Sequence, residues 1–356
     1  MKVGIIGTGA IGLGSVALLL SFNHKPILWS PSGKGTHPFE KNKQLVALGK
    51  VEGTFNPSVV KSAKELVQSS DIIKFAVPAY AHKDVIDAIF PFIETRHVIA
   101  ISSHASFSAV YLSKKLAERK VSPLVIAWGT TILSGKKTGA TSVNISTIRE
   151  QVDIATLPQS RIHEGLKVCR DLFGDRFTER DGLLAIALSN LNPQNHLGIA
   201  LCNLTRIEKG EVWDQALNIT PSVGNLLEKL DRERLEIAVA LDLKVRDIFE
   251  HFSLSFHVPQ GSVYEMSKSM VENGHKGTGP TTLDTRYVLE DVPYGLVPTV
   301  WLGRLTGCSA KLHEAGIILF NALYKRDFFS ENTLMPAMRF DSMSLKELKI
   351  ISYNGA

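Results

Sequence analysis

Two segments carry side chains whose types and spacing suit acid–base chemistry on a carboxylated substrate. Between Thr282 and Pro298 the chain sets Arg286 and Asp291 in a polar patch among apolar residues, a pattern of an active site and not of a core strand. A guanidinium fork offers several fixed donors to a carboxylate, and a carboxylate a few residues on can orient a histidine that acts as general acid. The matching histidine is His196, in the stretch Ser189–His196. There Asn192 and His196 stand four residues apart, on one face of a helix, where both could reach one ligand. The plainer alternative is a buried histidine satisfied by a neighbouring amide, with Pro193 kinking the helix by removing a backbone donor.

A third segment supplies the reductant. Gly7, Gly9 and Gly12 follow a β-branched run and open a helix-like run, and Ala10 and Ile11 complete the loop. The first glycine allows the tight turn, the second lets backbone approach a pyrophosphate, and the third permits close packing of helix on strand. Helix N-terminal amides then bind phosphate. The glycines also settle the reading of Val3–Phe22, which is almost uncharged: it is a strand, a turn and a helix and not a signal peptide or membrane span. The second strand ends in Leu28–Gly35, which has no carboxylate to take a ribose 2′-hydroxyl. Ser30, Ser32 and Lys34 can donate to a 2′-phosphate, so NADPH is expected in preference to NADH, with NADH still able to bind. Val77 and Pro78, at the end of a later strand, leave room for the nicotinamide half. His82 and His104 lie on loops of the same face, where a lone histidine is more often a loop hydrogen-bonder than a catalyst.

These segments need a framework to position them. At 356 residues the chain has room for two ordinary domains, and 44% apolar with 21% charged residues is the composition of a globular protein. Its net charge of +5 is modest and the basic residues are scattered, which argues against nucleic-acid binding. Cys169, Cys202 and Cys308 are far apart and odd in number, with no metal-ligand spacing. They point to a reducing cytoplasm, no disulfide framework and no metal. From Lys2 to about Phe177, short apolar runs at Pro26–Trp29, Ile72–Val77, His97–Ile101 and Leu124–Ala127 alternate with helical stretches. That alternation predicts an α/β Rossmann-like domain, a parallel sheet with helices on both faces, over residues 1–180. A mainly helical domain over 181–356 should follow, with long helices through Leu184–Leu201, Ser222–Leu243, Val245–Ser255 and Val297–Tyr324. The boundary is expected near Phe177–Asp181.

The same residues resemble the opine dehydrogenase family, which includes octopine and nopaline synthases. Ser189–His196 is similar to its catalytic histidine motif, Ile219–Gly224 and Leu230–Arg234 to its central helices, and Asp284–Asp291 to its catalytic aspartate segment. The resemblance implies reductive condensation of an α-keto acid with the amino group of an amino acid, using NADH or NADPH, to a secondary amine dicarboxylate. It implies His196 as general acid/base, Asp291 as the group that holds its tautomer, Arg286 as carboxylate binder, and Asn192 as a group that orients the keto acid. Asp284 stands where related sequences often carry asparagine. Glu208 and Glu211 could recognise a basic amino acid, or be solvated helix-end charges. Trp213 and Tyr264 could line a pocket, or be core.

Two other readings compete. A ketopantoate-type or β-hydroxy acid dehydrogenase shares the dinucleotide domain but typically uses a catalytic lysine, and no lysine here sits in a comparably marked helix motif. A non-catalytic dinucleotide sensor is the second. The apolar stretch Ala315–Leu323 could serve a homodimer interface as readily as a core. Beyond small-molecule substrates, no membrane or nucleic-acid partner is expected.

Overall fold

The computed structural model describes residues 1–41 and 43–356, and the chain divides into two compact units. The first comprises Met1–Ala187 with Ala337–Ala356, and the second is Leu188–Pro336. No described helix is long and apolar enough to cross a membrane.

The first unit carries β1 (Lys2–Ile6), β2 (Lys25–Trp29), β3 (Leu45–Gly49), β4 (Gly53–Phe55), β5 (Ser58–Val59), β6 (Ile72–Phe75), β7 (Val98–Ile101), β8 (Leu124–Trp128), β9 (Leu133–Gly139), β10 (Ser142–Ile148), β11 (Val152–Leu157) and β12 (Phe177–Glu179). One sheet runs β12-β11-β8-β7-β6-β1-β2-β5. Its neighbours pair in parallel, save β11 with β8. Strand β1 lies between β2 and β6, so the chain reverses its direction of travel across the sheet there, and the carboxyl ends of β1 and β6 flank the place where such sheets bind ligands. The expected parallel sheet is therefore present, with two strands, β11 and β12, running antiparallel to the rest at one edge.

A second sheet, β4-β3-β10-β9, was not legible as a separate layer. Its β10 alternates buried Val143 and Ile145 with exposed Asn144 and Ser146, the period of a half-buried strand. The sheet covers the outer side of the first helix, Ala10–Ser21, where a side chain at Gly14 would press on Leu133. A helix covered on both sides can be apolar all round. Gly12 to Leu19 are all buried, and this accounts for the uncharged run near the N-terminus.

The second unit is helical. The expected helix Leu184–Leu201 is split into Gly182–Ser189, most of which belongs to the first unit, and Asn192–Cys202 in the second. Asn190 Oδ1 accepts the Asn192 N–H at 3.1 Å, and Pro193 lies in the first turn, where a missing N–H costs nothing. Val297–Tyr324 is likewise split into Val297–Thr306 and Lys311–Tyr324, because Gly307 takes the left-handed conformation (φ +73°) that ends helices. At the C-terminus, helix Leu345–Asn354 starts with a Ser344/Glu347 capping box, and the Ala356 N–H bonds Ser113 Oγ at 2.8 Å. This returning tail belongs to the first unit, which a single boundary near Phe177–Asp181 does not include.

Candidate active site

The loop after β1 has the steric character of a dinucleotide cradle. Gly7 has φ +111°, and a side chain there would strike the Ala76 carbonyl oxygen. A Cβ at Gly12 would fall on the Gly7 carbonyl oxygen, while one at Gly9 would meet nothing. Two glycines are thus required by the turn, and the third leaves backbone open at the start of helix Ala10–Ser21, with Ala10 and Ile11 in its first turn. That is the shape a pyrophosphate needs.

Beside it, Ser30 is buried with its Oγ 3.2 Å from Ser32 Oγ, and Lys34 is exposed. Gly35 packs against Thr8 of the glycine loop. Lys137 of β9 donates to the Thr8 carbonyl at 3.3 Å, bringing a second cation to this end of the loop. Sequence pattern missed it because the contact depends on the second sheet.

Val77 and Pro78 follow β6, and the loop they begin is held by His82. Its Nε2 bonds the Val77 carbonyl at 3.2 Å, so that nitrogen carries the proton and Nδ1 accepts from Ser108 Oγ at 3.1 Å. Burial pushes His82 down to about 4, only partly opposed by the bond to Val77. His104 is pushed down to about 3, first by burial and then by the nearby His82, and its Nε2 accepts the Ala109 N–H at 3.3 Å. Both rings are neutral loop fixtures.

In the second unit, His196 sits in helix Asn192–Cys202. Residues two apart on a helix point about 200° apart, so Gln194 faces away from His196 and can anchor the helix from behind. Its Nε2 donates to Asp231 Oδ1 at 2.7 Å. Asp231 also accepts from Arg234 Nε (2.9 Å) and Nη2 (2.7 Å) and, on Oδ2, from the Ile248 N–H at 2.9 Å. Arg234 donates in turn to the carbonyls of Leu188 and Arg246. Both Asp231 oxygens and all three guanidinium nitrogens of Arg234 are therefore engaged, the condition for a buried ion pair to persist. Glycines bring the neighbours close: a side chain at Gly198 would strike Leu227, one at Gly316 Leu197, and one at Gly295 Pro193.

The last of these glycines lies in a π-helical turn, Val292–Leu296, that follows Asp291. Such turns re-aim side chains at functional sites. Here Asp291 Oδ2 lies 2.6 Å from His196 Nδ1, with both residues buried. Among the described residues Nε2 of His196 has no hydrogen-bond partner, which makes it the atom free to exchange a proton with a ligand. Tyr287 stacks on the imidazole, ring centroids 3.5 Å apart and planes 11° apart, and its hydroxyl donates to Gln215 Oε1 at 2.6 Å. Neither Tyr287 nor Gln215 was marked by spacing.

Arg286 is exposed and makes no ion pair among the described residues, and the half-buried Asn192 side chain makes no hydrogen bond among them. Trp213 is buried and its Nε1–H bonds the Pro280 carbonyl at 2.9 Å. Glu211 pairs with Arg206 at 3.8 Å on the surface, Glu208 and Asp284 are exposed, and Tyr264 lies against the backbone of Gly224.

Residues 179–324 match the family described as NAD/NADP octopine/nopaline dehydrogenase, alpha-helical domain. Residues 3–159 match the family described as ketopantoate reductase PanE/ApbA. An opine dehydrogenase from Arthrobacter sp. (strain 1C) is 28% identical over 347 residues, 96% of this chain and 95% of that protein. In fold, the chain is similar to octopine dehydrogenase solved with NADH and L-arginine (TM-score 0.82, 15% identity, 99% and 98% of the two chains). It is also similar to yersinopine dehydrogenase with NADP⁺ bound (TM-score 0.72, 13% identity, 96% and 99%). With residues 179–324 matched by that family's helical domain and a relative aligned along nearly its whole length, the protein is similar to the opine dehydrogenases.

Proposed function

We propose that this NAD(P)-dependent opine dehydrogenase joins an α-keto acid to the amino group of an amino acid, with His196 as general acid/base and with NADPH preferred over NADH. The observation that carries the reading is the buried His196–Asp291 pair with Nε2 left free.

In the synthetic direction His196 takes a proton at Nε2 from the amino acid's ammonium, and the freed amine adds to the keto carbon, its nitrogen giving up a proton to the new alkoxide so that a neutral carbinolamine forms. Asp291 holds the Nδ1–H and stabilises the imidazolium that forms. His196 then returns its proton from Nε2 to the carbinolamine hydroxyl as the C–O bond breaks, water leaves and a C=N bond forms. When bound, the nicotinamide supplies a hydride to that carbon. Arg286 holds a substrate carboxylate through paired donors, and Asn192 orients the keto acid.

The cradle at Gly7, Gly9 and Gly12 suits a dinucleotide. NADPH preference rests on a second-strand end that lacks a carboxylate and offers Ser30, Ser32 and Lys34. Small-molecule substrates of this kind are the expected partners, and Ala315–Leu323 is the stretch through which a homodimer would form.

The test is isotopic. Reaction of a keto acid and an amino acid with cofactor deuterated at the transferring position should give a secondary amine with one deuterium on the former keto carbon. A deuterated hydroxy acid in its place would assign the chain to the hydroxy acid dehydrogenases.

A further inference from the structure

The stack of Tyr287 on His196 has an unusual geometry. Two neutral aromatic rings prefer an offset or edge-on arrangement. Here the planes are within 11° of parallel and the centroids are 3.5 Å apart, so the rings are overlaid with almost no offset. Overlay is unfavourable between two neutral π systems, because their faces carry like partial charge. It is favourable when one ring is a cation, which the electron-rich face of tyrosine attracts.

A second feature fixes that face in place. The Tyr287 hydroxyl donates to Gln215 Oε1 at 2.6 Å, and Gln215 is itself tied by its N–H to the Gly277 carbonyl at 2.7 Å. Next to it, Asp214 bridges to Thr278 and Trp213 bonds Pro280, where the ring leaves no room for a side chain at Gly279. Two loops are thus knit together, and Gln215 projects from the seam to hold the phenol. On the other side of the imidazole ring's edge, Asp291 holds Nδ1.

We propose that Tyr287, anchored by Gln215, is a positioning residue that locks the His196 ring and favours its protonated form during proton transfer. This rests on His196 being the acid/base. The charges near the rings are Asp291 and Arg286, both of which act on the Tyr287 phenol, whose pKa is pushed up chiefly by burial. The helices packed on the histidine helix carry the pairs Asp231–Arg234 and Glu233–His313, and the following helix carries Arg206 and Glu208. Tyr287 covers one face of the imidazole, so the substrate reaches His196 at the Nε2 edge.

The experiment is an NMR titration of His196 in the full-length protein, assigned by loss of its signal in His196→Gln, with turnover measured alongside. Tyr287→Leu should lower the His196 midpoint by about half to one and a half pH units, the range expected for a lost cation–π contact. It should also lower kcat while leaving the cofactor Kd unchanged. Tyr287→Phe keeps the ring but loses its bond to Gln215, so it should lower both by less than Tyr287→Leu does. A midpoint unmoved in Tyr287→Leu overturns the proposal, whatever happens to turnover, as does Tyr287→Phe behaving like Tyr287→Leu. If Tyr287→Leu does not fold, Gln215→Ala removes the anchor instead: a lowered midpoint supports the proposal and an unchanged one overturns it. Failure of the acid/base reading shows separately, as His196→Gln retaining turnover.

Discussion

Asp291 Oδ2 and His196 Nδ1 lie 2.6 Å apart although 95 positions separate them in the chain. The carboxylate fixes which ring nitrogen carries the proton and leaves Nε2 without a hydrogen-bond partner among the described residues. Asp291→Asn preserves the shape but removes the charge, so kcat should fall by about 10²- to 10⁴-fold, the usual contribution of a positioned acid/base. Cofactor affinity by calorimetry should stay near normal in this variant and in His196→Ala. Lost cofactor affinity in either would reassign that residue to structure.

Arg286 has an exposed guanidinium with no ion pair among the described residues. Arg286→Lys retains charge and loses the paired-donor geometry, so the KM of a carboxylate-bearing substrate should rise by about ten- to a hundredfold. The Kd of NADPH is the control and should not move. An unchanged substrate KM would remove Arg286 from the substrate site.

After β2, Lys34 is an exposed cation, and the proposed NADPH preference requires it to meet the 2′-phosphate. Lys34→Ala should weaken NADPH by about tenfold and leave NADH unchanged, as read by fluorescence titration. Equal affinity for NADPH before and after the change would count against the preference.

The cluster behind the histidine helix is a stability element. Asp231→Ala leaves the Arg234 guanidinium buried without its carboxylate and frees Gln194. Breaking such a pair costs about 3–5 kcal/mol, so thermal unfolding should move down by many degrees. A change within about 0.5 kcal/mol would show that water replaces the carboxylate.

Lys74, fully buried on β6, donates to Ser15 Oγ at 3.1 Å and lies over Trp128. Burial lowers it from 10.5 to about 7. The unfolded chain therefore binds this proton more tightly, and stability should rise with pH from about 7 to about 10.5 and be fully reduced below that window. Lys74→Met should stabilise the fold near pH 6 by on the order of 3 kcal/mol, with the gain shrinking toward pH 10. Denaturant melts at two pH values check it, and an equal gain at both would show that the proton is not the cause.

The β-branched runs and the glycine spacing made the central sheet and its dinucleotide loop legible, because each depends on contacts close in sequence. His196, Asp291 and Arg286 stood out in the sequence as polar residues among apolar stretches, and the structure brings His196 and Asp291 together. Tyr287 and Gln215 were not. Their roles come from a loop seam at 211–219 and 275–281 that no periodicity signals. The second sheet was hidden for a similar reason, with β3 pairing β10 across nearly a hundred residues. The breaks at Asn190–Pro193 and at Gly307 were visible as residues but were overruled by the apolar pattern around them.

The central claim is best tested by following oxidation of NADPH, with NADH in parallel, against a matrix of α-keto acids with and without amino acids. Oxidation that requires both substrates is the result this account predicts, and the best pair names the product. Oxidation by a keto acid alone, at a rate no amino acid increases, would contradict it and make the protein a hydroxy acid dehydrogenase.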